Sequence, residues 1–382
     1  MQDQLRLKLG DIFWRKLYRP VLFRMGPENA HNAVNRHVGY LQENPHLLRL
    51  ARWLYRSPHA DHNQVLVCGR TWQNRVGIGP GIDKNAEQIP FWSQIAGSIE
   101  IGGVTPHPQE GRPKPRLFRI SYTDSRGTKS YILVNRMGYP SDGASVISER
   151  LAEIYRRHHI GIPVIVQMAP NSETVAEYEK SRDLGDLLND YLAVAEKFLP
   201  VLRPADYLSV GISPNTPGLR ELFVERHEEF ARGLHEGISR LTAARRTPPL
   251  IYKMPPFVDL GIGEGKFAEL IAAIAPYANG IAATNTLTDK MVKARYDIRE
   301  DGGVSGTPLL HYAWKTQLVI AETIRRRRLN LDLIGLGGVM SPYDAHMTIR
   351  REPIITALQL VSWVTRDGPI AVHKALEAIA NP

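Results

Sequence analysis

Short apolar runs alternate with amphipathic stretches along most of the chain, from residue 74 onwards. The apolar runs lie at residues 74–79, 98–103, 162–168, 205–212, 249–254, 279–284, 331–337 and 356–361. The stretches with a helical spacing of apolar residues lie at residues 142–158, 183–199, 224–245, 264–275, 310–328, 342–350 and 369–379. Near-continuous apolar strands that alternate with helices indicate a parallel sheet covered by helices. Eight such units over roughly 300 residues predict an α/β fold, the (β/α)8 TIM barrel.

The first part of the chain has a different pattern. Residues 10–57 contain helix-like segments broken by Pro20, Pro27 and Pro45, without the alternation of a strand. Their aromatic and arginine content is typical of helices that lie on an anionic lipid surface. We therefore predict an N-terminal helical extension over residues 1–68 and a barrel domain over residues 69–382. A cap on the barrel core is the alternative role for these helices, and both roles can coexist.

Composition and charge exclude several classes of protein. Cys68 is the single cysteine, which excludes a disulfide scaffold, a zinc ribbon and a self-contained iron–sulfur cluster. The formal net charge of +9 fits nucleic acid, an anionic membrane or an anionic substrate, but the barrel region has no basic and aromatic stripe of the kind that binds nucleic acid. No run approaches the ~18 uncharged apolar residues of a transmembrane helix, and the start lacks a signal-peptide core. The sequence thus predicts a protein of a reducing compartment that does not span a membrane.

Polar and glycine residues cluster at the predicted strand ends, where barrels of this type place their catalytic groups. The candidates are Gly79, Pro80, Gly81, Lys84, Ser213, Asn215, Lys253, Thr284, Asn285, Thr286, Gly306, Gly337, Gly338 and Ser362. Glycine and serine at the last two strand ends fit a phosphate site made of backbone N–H groups. The first glycine run does not have dinucleotide-fingerprint spacing, and Pro80 removes a backbone donor from it. No cluster has metal-ligand spacing, so we predict no metal.

Two classes of reaction fit this set of residues. Hydride transfer to flavin mononucleotide (FMN) would use all of it, because a lysine near the flavin N1/O2 edge stabilises the reduced anion and a hydroxyl can remove a proton. In an aldolase-type reaction, Lys84 or Lys253 would instead form a Schiff base as a desolvated nucleophile. The residue types alone leave both classes open.

Several motifs resemble the dihydroorotate dehydrogenase family. The motifs are Asp83-Lys-Asn85, the segment 105–119, Asn135-Arg-Met-Gly138, Ser213-Pro-Asn-Thr-Pro-Gly-Leu-Arg220, Ala283-Thr-Asn-Thr286 and Gly302-Gly-Val-Ser-Gly306. Residues 17–31 are similar to the N-terminal extension of the class 2 branch, whose members reduce quinones and associate with membranes. The resemblance covers nearly the whole chain.

The resemblance implies an FMN-containing barrel that oxidises dihydroorotate to orotate in pyrimidine biosynthesis, with Ser213 as the base that takes a proton from the ring. The residues expected to hold the substrate are Lys84, Asn135, Arg136, Met137, Gly138, Asn215, Asn285 and Thr286. Those expected to hold FMN are Gly79, Pro80, Gly81, Gln167, Lys253, Thr284, Gly306, Gly337, Gly338 and Ser362. The N-terminal helices would form the entrance for a membrane quinone. The protein would be a monomer, bound peripherally at the cytoplasmic face of a bacterial membrane.

Several positions depart from the family pattern. Val210 stands where the family has an asparagine at the junction of flavin and substrate, and Gln167 replaces an asparagine on the third strand. Gly103 replaces a threonine or serine that touches the flavin, Val361 replaces a tyrosine, and the segment 121–133 is longer than usual. An unpaired polar ligand atom left buried costs about 1–3 kcal/mol. Two alternatives therefore stay open, a paralogous flavin enzyme that acts on another small ring and a non-catalytic descendant that binds a ligand or partner.

Overall fold

A computed structural model describes residues 2–123, 129–211, 219–242 and 247–380. Its strands are β1 Val65–Val67, β2 Arg70–Trp72, β3 Val76–Asp83, β4 Ile99–Val104, β5 Leu117–Thr123, β6 Lys129–Asn135, β7 Val164–Met168, β8 Tyr207–Gly211, β9 Leu250–Met254, β10 Gly280–Ala283, β11 Gly303–Ser305, β12 Asp332–Leu336 and β13 Ile355–Leu360. Its α-helices are α1 Gln2–Ile12, α2 Arg19–Leu22, α3 Pro27–Gln42, α4 Pro45–Tyr55, α5 Ile89–Trp92, α6 Ala144–Arg157, α7 Ser172–Ser181, α8 Leu184–Phe198, α9 Leu219–Glu225, α10 His227–Thr242, α11 Phe257–Leu260, α12 Glu264–Ile274, α13 Lys290–Arg295, α14 Thr307–Arg327, α15 Pro342–Arg351, α16 Ser362–Asp367 and α17 Ile370–Ala380. A π-helix, Phe13–Tyr18, joins α1 to α2.

Eight parallel strands close into a barrel, and this confirms the predicted fold. The ring runs in chain order through β3, β4, β7, β8, β9, β10, β12 and β13, and β13 pairs with β3 to close it. Each predicted apolar run overlaps one of these strands. The first strand continues past the predicted end at Gly79 to Asp83, although it contains Pro80. The strand tolerates the proline because its pairing with β4 is irregular between Ile78 and Asp83.

The inside of the barrel has an apolar layer at its N-terminal end. Inward side chains of the barrel strands, among them Ile165, Tyr207 and Ile251, pack there against Val67 and Trp72. The Trp72 indole N–H donates to the Tyr207 hydroxyl (3.1 Å), which donates to the carbonyl of Val67 (2.7 Å). The hairpin β1–β2 therefore closes the bottom of the barrel. The predicted domain boundary between residues 68 and 69 falls in the turn of this hairpin and stays a prediction.

A three-stranded antiparallel sheet interrupts the barrel rhythm between β4 and β7. It consists of β5, β6 and β11, and β5 and β6 lie in the segment between the second and third predicted barrel strands. Alternate residues such as Phe118, Ile132 and Val134 form a small apolar cluster on one face. The residues between them, such as Arg119 and Tyr131, line the large cavity described below. The sheet thus forms one wall of that cavity.

The N-terminal helices pack on the barrel and also leave apolar side chains exposed. Trp14 packs against Leu22 and Ala30, and its indole N–H donates to the carbonyl of Arg366 (3.2 Å). An ion pair joins Asp11 to Lys374 of α17 (2.8 Å). The exposed apolar residues of this segment include Leu5, Leu9, Ile12, Phe13, Leu17, Val21, Met25, Leu47, Leu50 and Trp53. The segment therefore has both a capping face and an exposed apolar face, and none of the described helices is long and apolar enough to cross a bilayer.

Candidate active site

A cavity of about 570 Å³ lies at the C-terminal rim of the barrel and continues beneath the N-terminal helices. Its barrel side includes Lys84, Lys253 and Asn285, and its helical side includes Tyr18 and His31. The rim of the barrel and the helical extension therefore share one cavity.

Most of the predicted site residues line this cavity. The lining residues among them are Lys84, Asn135, Arg136, Met137, Gly138, Asn285, Thr286, Pro80, Gly81, Gln167, Lys253, Thr284, Gly337, Gly338 and Ser362. Gly79 and Gly306 do not line it. A Cβ built on Gly79 would lie 2.7 Å from Val361, so this residue lies beneath the cavity wall. Ser213 and Asn215 lie outside the described residues.

Lys84 forms a hydrogen bond with the helical extension. Its Nζ lies 2.9 Å from Nε2 of His31 on α3 and 3.3 Å from the carbonyl oxygen of Gly81. Burial lowers the pKa of Lys84 to about 8, against the opposing effect of Glu28 and Asp83. Burial and the charge of Lys84 lower the pKa of His31 to about 3. A neutral His31 therefore accepts a hydrogen bond from the Lys84 ammonium at neutral pH.

A buried ion pair fixes α3 beside this lysine. The guanidinium of Arg116, just before β5, donates to Oε1 of Glu28 through Nη2 (2.7 Å) and Nε (3.1 Å). Both side chains are mostly buried, with 8% and 15% of their surface exposed. Such charge-assisted pairs hold a fixed geometry. The start of α3, and with it His31, is thus attached to the wall of the cavity.

Two consecutive glycines follow β12 with a backbone that other residues adopt only at a cost. Gly337 and Gly338 have φ values of +108° and +77°. A Cβ on Gly338 would lie 2.3 Å from the Cα of Leu310, and a Cβ on Gly337 would lie 2.8 Å from Oγ1 of Thr284. Consecutive glycines with positive φ are a backbone arrangement that can present N–H groups to a bound anion.

Hydroxyl groups and an ammonium line the same cavity as these glycines. Oγ of Ser362 donates to Oγ of Ser305 (3.1 Å). Oγ1 of Thr284 is buried and has no hydrogen-bond partner among the described residues. The ammonium group of Lys253 lines the same cavity from β9. A cradle of glycines, an orphaned hydroxyl and a buried cation fit a phosphate-bearing ligand with polar ring atoms, as expected for FMN.

Val210 does not line the cavity, whereas the family pattern placed it at the junction of flavin and substrate. Side chains of β8 alternate, and Ser209 faces the barrel interior, where it contacts Glu100. Val210 is fully buried among the residues that pack between the barrel and its helices. The inward-facing residue at the end of this strand is Gly211.

Gln167 fills the space that Gly211 leaves. A Cβ on Gly211 would lie 2.8 Å from Cγ and 2.9 Å from Cδ of Gln167. The long amide side chain of Gln167 on β7 therefore occupies the space that a side chain at position 211 on β8 would need. A second exchange of the same kind involves Gly103, where a Cβ would lie 2.6 Å from Cδ1 of Tyr139.

Tyr139 is a cavity residue that the sequence did not single out. Its hydroxyl lies 3.5 Å from the carbonyl oxygen of Gly211, to which the hydroxyl of Tyr191 also donates (3.0 Å). Gly211 is the last described residue before the segment that contains Ser213. The two tyrosines therefore hold the backbone at the start of that segment.

A polar layer also lies inside the barrel, and the sequence pattern did not predict it. Glu100 of β4 accepts hydrogen bonds from Gln167 (3.3 Å), Ser209 (2.8 Å) and Gln359 (2.8 Å). The sequence feature that could have indicated this layer is the carboxylate in the middle of the apolar run at residues 98–103. No group of three or more potential metal ligands occurs in the part of the chain that the structure describes.

Comparisons with known proteins agree on one family. A sequence model of the family described as dihydroorotate dehydrogenase matches residues 63–381. A dihydroorotate dehydrogenase (quinone) of Acidithiobacillus ferrooxidans is 32% identical over 375 residues, which is 95% of this chain and 93% of the relative. That of Gloeobacter violaceus is 34% identical over 384 residues, covering 96% of this chain and 94% of the relative. In fold, the chain is similar to the DHODH of Eimeria tenella in complex with ferulenol, with a TM-score of 0.73, 23% identity and coverage of 93% and 91% of the two chains.

We predict that Gly211→Ala destabilises the protein by about 1–3 kcal/mol, because its methyl group overlaps the side chain of Gln167. In a Gln167→Ala background, the same substitution should cost at least 0.5 kcal/mol less, roughly the lower limit for coupling between residues in contact. Urea unfolding of the two single variants and the double variant measures both quantities. Additive losses of stability would show that position 211 and Gln167 do not compete for the same space.

Proposed function

The chain belongs to the dihydroorotate dehydrogenase family, and we propose that it oxidises dihydroorotate to orotate, with FMN as cofactor and a quinone as electron acceptor. This reaction is the redox step of pyrimidine biosynthesis. The main observation in support is the single cavity, because it joins the predicted substrate and flavin residues at the barrel rim to the underside of the N-terminal helices. Two ligands can thus reach one site, the substrate from the rim and the quinone from the helical side.

The flavin site is assigned by fit to the residues present. The backbone of Gly337 and Gly338, with Ser362, would hold the phosphate of FMN. Lys253 would lie at the electron-rich edge of the flavin ring, and the free hydroxyl of Thr284 would gain a partner. When bound, FMN accepts a hydride from the substrate and passes the electrons to a quinone.

Lys84 and three neutral side chains would hold the substrate. The ammonium of Lys84 suits the carboxylate of dihydroorotate, and Asn135, Asn285 and Thr286 suit the amides of its ring. Ser213 is proposed as the base that removes the ring proton, and it lies outside the described residues. The tyrosine contacts to Gly211 hold the backbone at the last described residue before that segment.

The exposed apolar face of the N-terminal helices would bind a membrane. Exposed basic side chains accompany it, among them Lys8, Arg15, Lys16, Arg24, Arg49 and Arg52. Apolar and basic groups together favour an anionic lipid surface, to which helices of this type bind without crossing it. We propose that the protein is a monomer on the cytoplasmic side of the membrane, takes quinone from the bilayer and does not bind nucleic acid.

A flavin enzyme that acts on another small anionic ring is the second candidate. The exchanges at Gln167 with Gly211 and at Gly103 with Tyr139 favour it, because they change the hydrogen-bonding groups beside the site while keeping it filled. A non-catalytic descendant is the third reading, and the first experiment below separates all three.

The purified protein should release one equivalent of FMN on denaturation, and its flavin absorbance should bleach on anaerobic addition of dihydroorotate and return with a soluble quinone. Stopped-flow absorbance measures both steps. Flavin that is reduced by dithionite but not by dihydroorotate would favour the second candidate. A protein without flavin after supplementation would refute both enzyme hypotheses.

The affinity for dihydroorotate should fall as the pH rises through about 8. Lys84 is charged below its pKa of about 8 and neutral above it, so the substrate carboxylate loses its partner at high pH. We expect KM to increase up to roughly tenfold per pH unit above that value, while kcat changes less. Lys374→Met removes a lysine outside the cavity and should keep the wild-type profile. A KM that stays flat to pH 9.5 would place the carboxylate elsewhere.

Leu17→Glu and Trp53→Glu should each weaken binding to vesicles that contain anionic phosphatidylglycerol. These side chains are 61% and 51% exposed, and the substitutions remove apolar surface from the proposed lipid face. The expected loss is roughly tenfold in partition coefficient, because burying one such side chain contributes about 1.5–3 kcal/mol. Leu318→Glu on α14, where the leucine is 44% exposed, is the matched control and should bind like the wild type. Equal effects at all three sites would argue against a specific membrane face.

A further inference from the structure

The carboxylate of Glu100 lies inside the barrel, one layer above the apolar layer at the N-terminal end. Only 1% of its surface is exposed. Its Oε1 accepts from the amide of Gln167 and the hydroxyl of Ser209, and its Oε2 accepts from the amide of Gln359. These contacts come from three strands, β7, β8 and β13. The carboxylate is therefore held in a fixed position by the barrel itself.

The donors around Glu100 suit a carboxylate. Both of its oxygens accept hydrogen bonds, Oε1 from Gln167 and Ser209 and Oε2 from Gln359. The interior of the barrel thus holds a fixed negative charge directly beneath the cavity.

Lys253 lies close to a partner of Glu100, because it pairs across the sheet with Gly211, which adjoins Gln167. Lys253 is inward-facing on β9 and only 9% exposed. Burial lowers the pKa of its ammonium, and the charge of Glu100 opposes this shift. Among the described residues, the side-chain contacts of Glu100 are with Gln167, Ser209 and Gln359, so its charge acts on Lys253 across space and not through a direct ion pair.

The other charged groups near the rim interact with residues away from Lys253. Among the described residues, the other side chains that face the interior around Lys253 are uncharged, and they include Gln167, Ser209, Thr284 and Gln359. Lys84 and Asp83 follow β3, where Glu28, Glu87, Arg116 and Arg150 act on them. Within the described part of the chain, Glu100 is thus the charge that acts on Lys253.

We propose that Glu100 is a positioning residue that keeps Lys253 protonated beside the flavin, and so fixes the number of protons taken up when the flavin is reduced. The inference rests on the proposed FMN site. With Lys253 already charged, reduction to the anionic flavin takes up one proton for two electrons. Without Glu100, Lys253 is neutral at the start and gains a proton when negative charge appears beside it, so two protons are taken up.

The test is the pH dependence of the flavin midpoint potential between pH 7.5 and 9, measured by spectroelectrochemistry with dithionite as reductant. The wild type should show a slope of about 30 mV per pH unit, the value for one proton in a two-electron couple. Glu100→Gln, which keeps the shape and removes the charge, should show about 60 mV per pH unit, because a second proton is taken up. The double variant Glu100→Gln with Lys253→Met should return to about 30 mV, since the titrating group is gone.

Ser209→Ala is the matched control, because it removes a hydrogen bond to the same carboxylate and keeps the charge. Its slope should equal that of the wild type, whereas a purely structural role for Glu100 would give both single variants the same slope. A wild-type slope near 60 mV per pH unit would overturn the proposal. This measurement does not depend on whether any variant folds. A flavin-loaded Glu100→Gln protein that keeps a slope near 30 mV would also overturn the proposal. Because dithionite replaces dihydroorotate, these results do not depend on the substrate, and failure of the proposed FMN site would appear first as missing flavin.

Discussion

The arrangement of this protein depends on keeping two lysine side chains charged at the rim of an apolar barrel. An ammonium group that is removed from water loses several kcal/mol of hydration, so each buried lysine needs partners that compensate for the loss. For Lys84 these partners come from outside the barrel, because His31 accepts its hydrogen bond and Glu28 supplies negative charge, both from α3. For Lys253 the compensating charge is inside the barrel, at Glu100. The N-terminal helices are therefore part of the site as well as its cover.

This dependence accounts for the form of the cavity. A helix that supplies a partner to Lys84 has to lie across the barrel mouth, and the ion pair of Glu28 with Arg116 holds it there. The helices can then leave a passage beneath them while their outer face stays apolar and exposed. The sequence suggested two roles, a cap and a lipid-facing surface. The segment has a face that packs on the barrel and an exposed apolar face that we propose binds lipid. A quinone that leaves the bilayer through these helices would meet the barrel rim directly.

The eight barrel strands could be predicted because each is buried on both faces and forms a short apolar run, whatever its neighbours are. The short hairpin at Val65–Trp72 could not, because strands of three residues have too few positions to show a period. Val210 was misassigned for another reason. A motif match aligns residues along the chain, but the side of the sheet that each residue faces depends on the register of β8 within the barrel, and that register makes Gly211 the inward residue. The layer around Glu100 was hidden because its members are far apart in the sequence and meet only when the barrel closes.

The two exchanges of space have a consequence for substrate recognition. In each pair, one position is a glycine and a neighbouring side chain occupies the space beside it. Gln167 lies beside Gly211, and Tyr139 lies beside Gly103. Cores tolerate changes that conserve volume, so such pairs maintain packing while they change which polar atoms face the ligand. The amide of Gln167 already donates to Glu100, which ties its N–H group to the barrel interior and away from a bound ring. Under the proposed function, discrimination between dihydroorotate and another anionic ring would therefore fall to other residues that line the cavity, above all Lys84 for the carboxylate and Asn135 and Asn285 for the ring.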